Sequence, residues 1–197
     1  MDSSIGIKGR NFAIVAADTK ISSSILVVKE NHEKFQVIKD RIVMAMTGNQ
    51  GDAFRTMLYV SESALYEEIQ NGIELSPSVL AHMIQNKVHE SLRRRQLDMS
   101  SIVAGRGPEK YDLWSVDKYG AISSVPFCAS GYAAYFVYGI LDREYSEDIT
   151  IDAALSIMQK CVNLLKERLM INLEGFMVKI VTDDGILTRT LVPEIKG

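Results

Sequence analysis

Several short clusters in this sequence carry side chains whose types and spacing are able to do chemistry, and each has a plainer competitor. Gly105-Arg106-Gly107 has the glycine pair of a phosphate cradle, but no Lys-Ser or Lys-Thr follows it, so a hairpin turn is expected there instead. Asp183-Asp184 offers two adjacent carboxylates, yet Gly185 follows them between two alternating apolar runs, which is the composition of a hairpin loop. His32, His82 and His89 form no HExxH pattern and no compact ligand set, so no metal is expected. Cys128 and Cys161 are too few for a disulfide framework and too far apart for a CxxC site, which leaves two buried thiols in a reducing compartment. Arg93-Arg94-Arg95 is either a contact for an acidic partner or a solvated end of a helix, where the dipole favours cations.

The elements that would carry these residues are legible from hydrophobic period. The chain has 197 residues, 47% of them hydrophobic, enough for one compact domain over 1–197 with a buried core. A formal net charge of −3 gives no reason to expect nucleic acid or an anionic membrane as partner. No apolar stretch approaches the roughly 20 residues of a membrane span, and the opening residues lack the basic start of a secretory signal. Cytoplasm and nucleus are the expected locations.

Strands are expected at Ser4–Lys8, Phe12–Asp18, Ile25–Val28 and Ile42–Thr47, where β-favouring residues run between turn formers. The period then becomes helical, with Phe54, Leu58, Ser61 or Glu62, Leu65 and Ile69 as the stripe, up to Asn71-Gly72. A second helix starts at the N-cap Ser76 with Pro77 in first position; Leu80, Met83, Ile84, Lys87, Val88 and Leu92 trace its face, and Arg93-Arg94-Arg95 falls in its last turn. Alternation returns at Ile102–Ala104, Leu113–Val116 and Ile122–Val125. Two more helices are expected, Gly131 to about Tyr145, then Ile151 to about Leu169 with Thr150 as cap and Ala154, Met158, Cys161, Val162 and Leu165 buried. Strands at Phe176–Val181 and Ile186–Leu191 close the chain. Strands, two helices, strands, two helices, strands is the order of an α+β chain, best satisfied by two stacked antiparallel sheets covered outside by helices.

That order, with a set of short motifs, resembles the N-terminal-nucleophile hydrolase fold of proteasome β subunits, a four-layer αββα sandwich. The carriers are Ile5-Gly6-Ile7-Lys8-Gly9, Ile14-Val15-Ala16-Ala17-Asp18, Lys34 after Asn31-His32-Glu33, and Met46-Thr47-Gly48 before Asp52. Further along stand Ala129-Ser130-Gly131-Tyr132 and Tyr138-Gly139-Ile140-Leu141-Asp142-Arg143. Within the family, Leu75-Ser76-Pro77, Leu92-Arg93-Arg94-Arg95 and Ile171-Asn172-Leu173 are most similar to the beta type-2 group, which holds the fourth β position of the eukaryotic ring and is non-catalytic.

In active relatives the mature chain begins at a threonine whose hydroxyl attacks the peptide carbonyl while its own amine is the base. Counting back from Val15-Ala16-Ala17-Asp18, the resemblance puts Asp2 in that place, with Met1 before it. Ser3 is one residue along, which turns its side chain to the other face. Ser4 is on the right face but roughly 6–7 Å further on. Asp18 and Lys34 match the acid and base that support the nucleophile, Gly48 the glycine whose N–H stabilises the oxyanion, and Ser130 and Gly131 a pair beside the same pocket. The Arg-Asp then Ser-Gly pattern of active relatives is replaced around Arg168-Leu169-Met170-Ile171-Asn172.

The resemblance therefore implies a vestigial pocket of Asp2, Asp18, Lys34, Gly48, Ser130 and Gly131, with no catalytic residue and no cofactor, and Asp18 and Lys34 kept as a buried ion pair. It implies a structural subunit whose partners are other β subunits of its ring, α subunits of the adjacent ring and β subunits of the opposite ring, in a particle that degrades proteins in an ATP- and ubiquitin-dependent way. Two alternatives remain open at this point: a peptidase using Ser3 or Ser4 after trimming, and a module that holds a small ligand in the old cleft.

Overall fold

The computed structural model describes residues 2–23, 26–169 and 174–194. In chain order the elements begin with β1 (Ser3–Lys8), β2 (Ala13–Asp18), β3 (Ile21–Ser23), β4 (Leu26–Lys29), β5 (Phe35–Ile38), β6 (Ile42–Gly48), α1 (Gln50–Asn71) and α2 (Pro77–Leu92). They continue with β7 (Met99–Arg106), β8 (Tyr111–Val116), β9 (Ile122–Ser124), β10 (Phe127–Gly131), α3 (Ala134–Glu144), α4 (Ile151–Arg168), β11 (Phe176–Thr182) and β12 (Gly185–Leu191). Two five-stranded sheets result, ordered β10-β1-β2-β11-β12 and β5-β6-β7-β8-β9, with β3 and β4 pairing separately as a hairpin. All strand pairs are antiparallel.

The two-residue period of a strand sorts its side chains between two cores. On β2, Ala13, Val15 and Ala17 enter the core between the sheets, while Ile14 and Ala16 pack outward with α3 and α4. On β6, Val43 and Ala45 face the inter-sheet core, whereas Ile42, Met44 and Met46 pack outward with α1 and α2. Three apolar layers thus alternate with four layers of secondary structure, an αββα sandwich. Burial on both faces explains why β2 and β6 read as continuous apolar runs.

The start signals read for two of the helices, α2 and α4, are realised in detail. Ser76 Oγ accepts from Val79 N at 3.3 Å and Thr150 Oγ1 from Ala153 N at 3.3 Å, and the expected stripe of α4 is buried. Asn49 caps α1, its side chain accepting from the nitrogens of Gly51 and Asp52.

Four expectations are corrected. The third helix starts at Ala134; Gly131 instead ends β10, pairing opposite Ser3. Strands β3, β5 and β10 were not anticipated, because each has five residues or fewer and little apolar alternation. Arg93-Arg94-Arg95 lies past the end of α2, with Arg93 as its C-cap. The expected stripe of α1 is the exposed one: Phe54, Leu58, Leu65 and Ile69 are 63, 45, 39 and 85% exposed, while Ala53, Met57, Val60 and Ala64 are buried. Ile25 and residues 170–173 lie outside the described residues, and with them the start of one expected strand and most of the Arg168–Asn172 motif. No helix among the described residues is long and apolar enough to cross a membrane.

Candidate functional site

Residue 2 sits just ahead of β1, the central neighbour of β10 and β2, at the end of the sheet where the facing sheet delivers the start of β5 and the end of β6. Four segments distant in sequence therefore converge on one point. Asp2 and Asp18 come from the first sheet, Lys34 from the residue before β5, and Gly48 from the last position of β6.

The Lys34 ammonium, with a fully buried side chain, donates to Asp2 Oδ1 at 2.6 Å and to Asp18 Oδ2 at 2.7 Å. The second Asp2 oxygen, Oδ2, accepts from Gly48 N at 2.8 Å and from Gln50 Nε2 at 3.0 Å. Asp18 Oδ1 accepts from Ser3 N at 2.7 Å, and Lys20 N donates to Asp18 Oδ2 at 3.3 Å. Hence Asp18 and Lys34 are not a simple pair: Asp2 is a third charge in the same cluster.

Ser130 lies in the wall, its hydroxyl 2.8 Å from Thr47 Oγ1 across the two sheets. Beyond Gly131, the nitrogen of Tyr132 donates to the Asp2 carbonyl at 2.9 Å and ties the segment down. Gly48 has φ of +116°, and a Cβ there would lie 2.3 Å from the Asp98 carbonyl, so only glycine can turn its N–H toward Asp2. Ser4 lies opposite Ser130 and Ala17; its hydroxyl is buried and has no hydrogen-bond partner among the described residues.

Burial, the largest influence, pushes the Asp18 carboxyl above its ordinary value; Lys34 and the Ser3 N–H act against it, and Asp2 adds to it. Over the cluster opens a cleft of about 350 Å³ edged by Asp98, Lys118 and Tyr135. In chemical terms the N–H of Gly48 is aimed as a donor for an oxyanion, but Asp2 Oδ2 already accepts from it.

Sequence reading did not single out Gln50, whose amide has no motif to mark it. Nor did it find the clamp on the neighbouring loop: buried Asp52 takes Arg55 at 2.8 Å and Arg95 at 3.0 Å on the same oxygen. Among the described residues no group of three or more His, Cys, Asp or Glu is disposed to hold a metal.

Residues 2–181 match the family described as Proteasome subunit. The chain is 32% identical over 190 residues to the probable proteasome subunit beta type-4 of Neurospora crassa, covering 95% of this chain and 94% of that protein. It is 31% identical over 186 residues to proteasome subunit beta type-2-A of Arabidopsis thaliana, covering 94% and 91%. Proteasome subunit beta type-4 of Saccharomyces cerevisiae is 27% identical over 189 residues, covering 94% and 96%. With the two-sheet sandwich and the buried cluster at its end already in view, these matches place the chain in the proteasome subunit family, as a β subunit of the core particle.

Proposed function

We propose that this chain is a non-catalytic β subunit that fills one place in a heteroheptameric ring and helps to enclose the chamber in which ATP- and ubiquitin-dependent degradation occurs. Its type is beta type-2, the fourth β position; its neighbours are β subunits of the same ring, α subunits of the adjacent ring and β subunits of the opposite ring, in cytoplasm and nucleus. One observation carries the reading: the Asp2 carboxylate fills the hydrogen bonds of Lys34 and Gly48 that a nucleophile and an oxyanion would need. A carboxylate has no proton to surrender to a base and no alkoxide to form, so attack on a peptide carbonyl has no starting point at residue 2.

A serine replacement lacks support from the same geometry. Ser4 Oγ has no base in hydrogen-bond reach, and the Ser3 nitrogen is committed to Asp18 at 2.7 Å. The test is to treat the intact particle with a hydroxyl-directed electrophilic peptide probe and weigh every subunit. Adducts on other subunits and none on this chain are expected; an adduct at Ser3 or Ser4 overturns the proposal. Native mass spectrometry of the complex purified through this chain should show different partner subunits, and a lone monomer or homo-oligomer would defeat the ring assignment.

A further inference from the structure

The donors around the Asp2 side chain are held by contacts that do not involve Asp2. The Lys34 ammonium keeps its bond to Asp18 Oδ2 at 2.7 Å. Gly48 holds its φ of +116° with its other side against Asp98, and Gln50 is the first residue of α1, whose start the Asn49 cap fixes. The three donors divide the two oxygens between them. The ammonium donates to Oδ1 at 2.6 Å, while the Gly48 N–H and the Gln50 amide donate to Oδ2 at 2.8 and 3.0 Å.

Such a set recognises a carboxylate whether or not that group is joined to the chain. The cleft of about 350 Å³ above it, walled by Thr47, Ser100, Gly131 and Tyr132, gives a free ligand a way in. Asp98 and Lys118 at its edge carry opposite charges, so the mouth favours neither sign.

We propose that this end of the sandwich is a binding site for a small monocarboxylate, and that Asp2 is its tethered ligand, which keeps the site closed to free carboxylates. The inference rests on the reading of residue 2 as no nucleophile, and it gives that residue a task. Hydrolysis of a peptide leaves a new carboxylate on one of the two fragments, and a subunit of the chamber wall with these donors unfilled would retain such fragments. The tether is short, since the Asp2 carbonyl also accepts from Tyr132 N at 2.9 Å. A group so tethered meets its donors at an effective concentration of at least about millimolar order, which a free carboxylate has to match.

The test replaces the tethered ligand by a free one. Asp2→Gly removes the atoms of one acetate; Asp2→Ala, which keeps Cβ, removes those of one formate. Urea midpoints of the full chain are measured in sodium acetate, formate and chloride at matched ionic strength and neutral pH, and the unsubstituted chain sets the general salt effect to be subtracted. Acetate should then stabilise Asp2→Gly more than formate does, formate should stabilise Asp2→Ala more than acetate does, and chloride should stabilise neither. Each effect should saturate as binding does, with the folded-to-unfolded ratio raised about tenfold at ten times the dissociation constant. Gln50→Ala added to Asp2→Gly should weaken acetate about fivefold. A variant that is unfolded without ligand is read by the return of native Trp114 emission when the same salts are added. Equal effects of the three salts, absence of the crossover between acetate and formate, or an acetate affinity indifferent to Gln50 overturns the proposal. Failure of the non-catalytic reading looks different: an electrophilic-probe adduct at Ser3 or Ser4, with the crossover intact.

Discussion

Lys34 holds two carboxylates with one charge, and that ratio sets what substitutions at the cluster should do. Lys34→Met leaves Asp2 and Asp18 facing each other in a buried place, and should cost about 3–5 kcal/mol. Asp18→Asn keeps the shape and leaves Lys34 its bond to Asp2, so about 1–3 kcal/mol is expected. Urea midpoints of the two variants against the unsubstituted chain decide this, and the reverse order would sink the three-charge account. The pH dependence carries a sign. Because burial raises the folded-state value of Asp18 above the ordinary 3.8, the folded chain holds a proton there that the unfolded chain has released. The contribution of this group is fully present below 3.8 and is lost as pH rises through its folded value. The advantage of the unsubstituted chain over Asp18→Asn should therefore grow on acidification through that window. Unfolding curves at a series of pH values check it; a shrinking advantage would mean that Lys34, not desolvation, dominates.

At the scale of elements, what was legible depended on how much of the signal was local. Caps and periodic stripes are local, so Ser76, Thr150 and the buried face of α4 could be read directly. Short strands such as β5 and β10 carry too few residues for a period and exist because β6 and β1 pair with them. For Asp2 the sequence offers only an expected place, counted from Asp18, whereas its hold on Gly48 and Gln50 is made by the meeting of two sheets. Helix α1 misled for a physical reason. It has two apolar faces, and the one with more large side chains, Phe54, Leu58, Leu65 and Ile69, faces outward while Ala53, Met57, Val60 and Ala64 pack under the helix. Val60→Ala should accordingly cost about 2 kcal/mol of the chain's own stability, and Phe54→Ala, though it removes a larger side chain, should stay within about 0.5 kcal/mol. Denaturant unfolding of both variants tests the assignment of faces, and a larger loss at Phe54 would reverse it.

Across the whole molecule, the cluster depends on how closely the two sheets approach, since Asp2 and Asp18 belong to one and Lys34 and Gly48 to the other. Gly6 marks that distance. On β1 it faces the inter-sheet core, and a Cβ added there would lie 2.9 Å from Leu113 Cδ1, 3.1 Å from Ile102 Cγ2 and 3.2 Å from Cys128 Sγ. These neighbours come from β8, β7 and β10, so relief on one side presses on another. Gly6→Val should cost about 1–3 kcal/mol through overpacking. Because the strain arises against a particular neighbour, Gly6→Val and Leu113→Ala together should be less destabilising than the sum of the two alone, the mark of contacting sites in a double-mutant cycle. Prising the sheets apart should also loosen the bond between Asp2 and the Gly48 N–H, so amide exchange at Gly48 should speed up in Gly6→Val and slow again in the double variant. Strict additivity in the unfolding data, or exchange at Gly48 indifferent to residue 6, would show that the site is held locally and not by the spacing of the sheets.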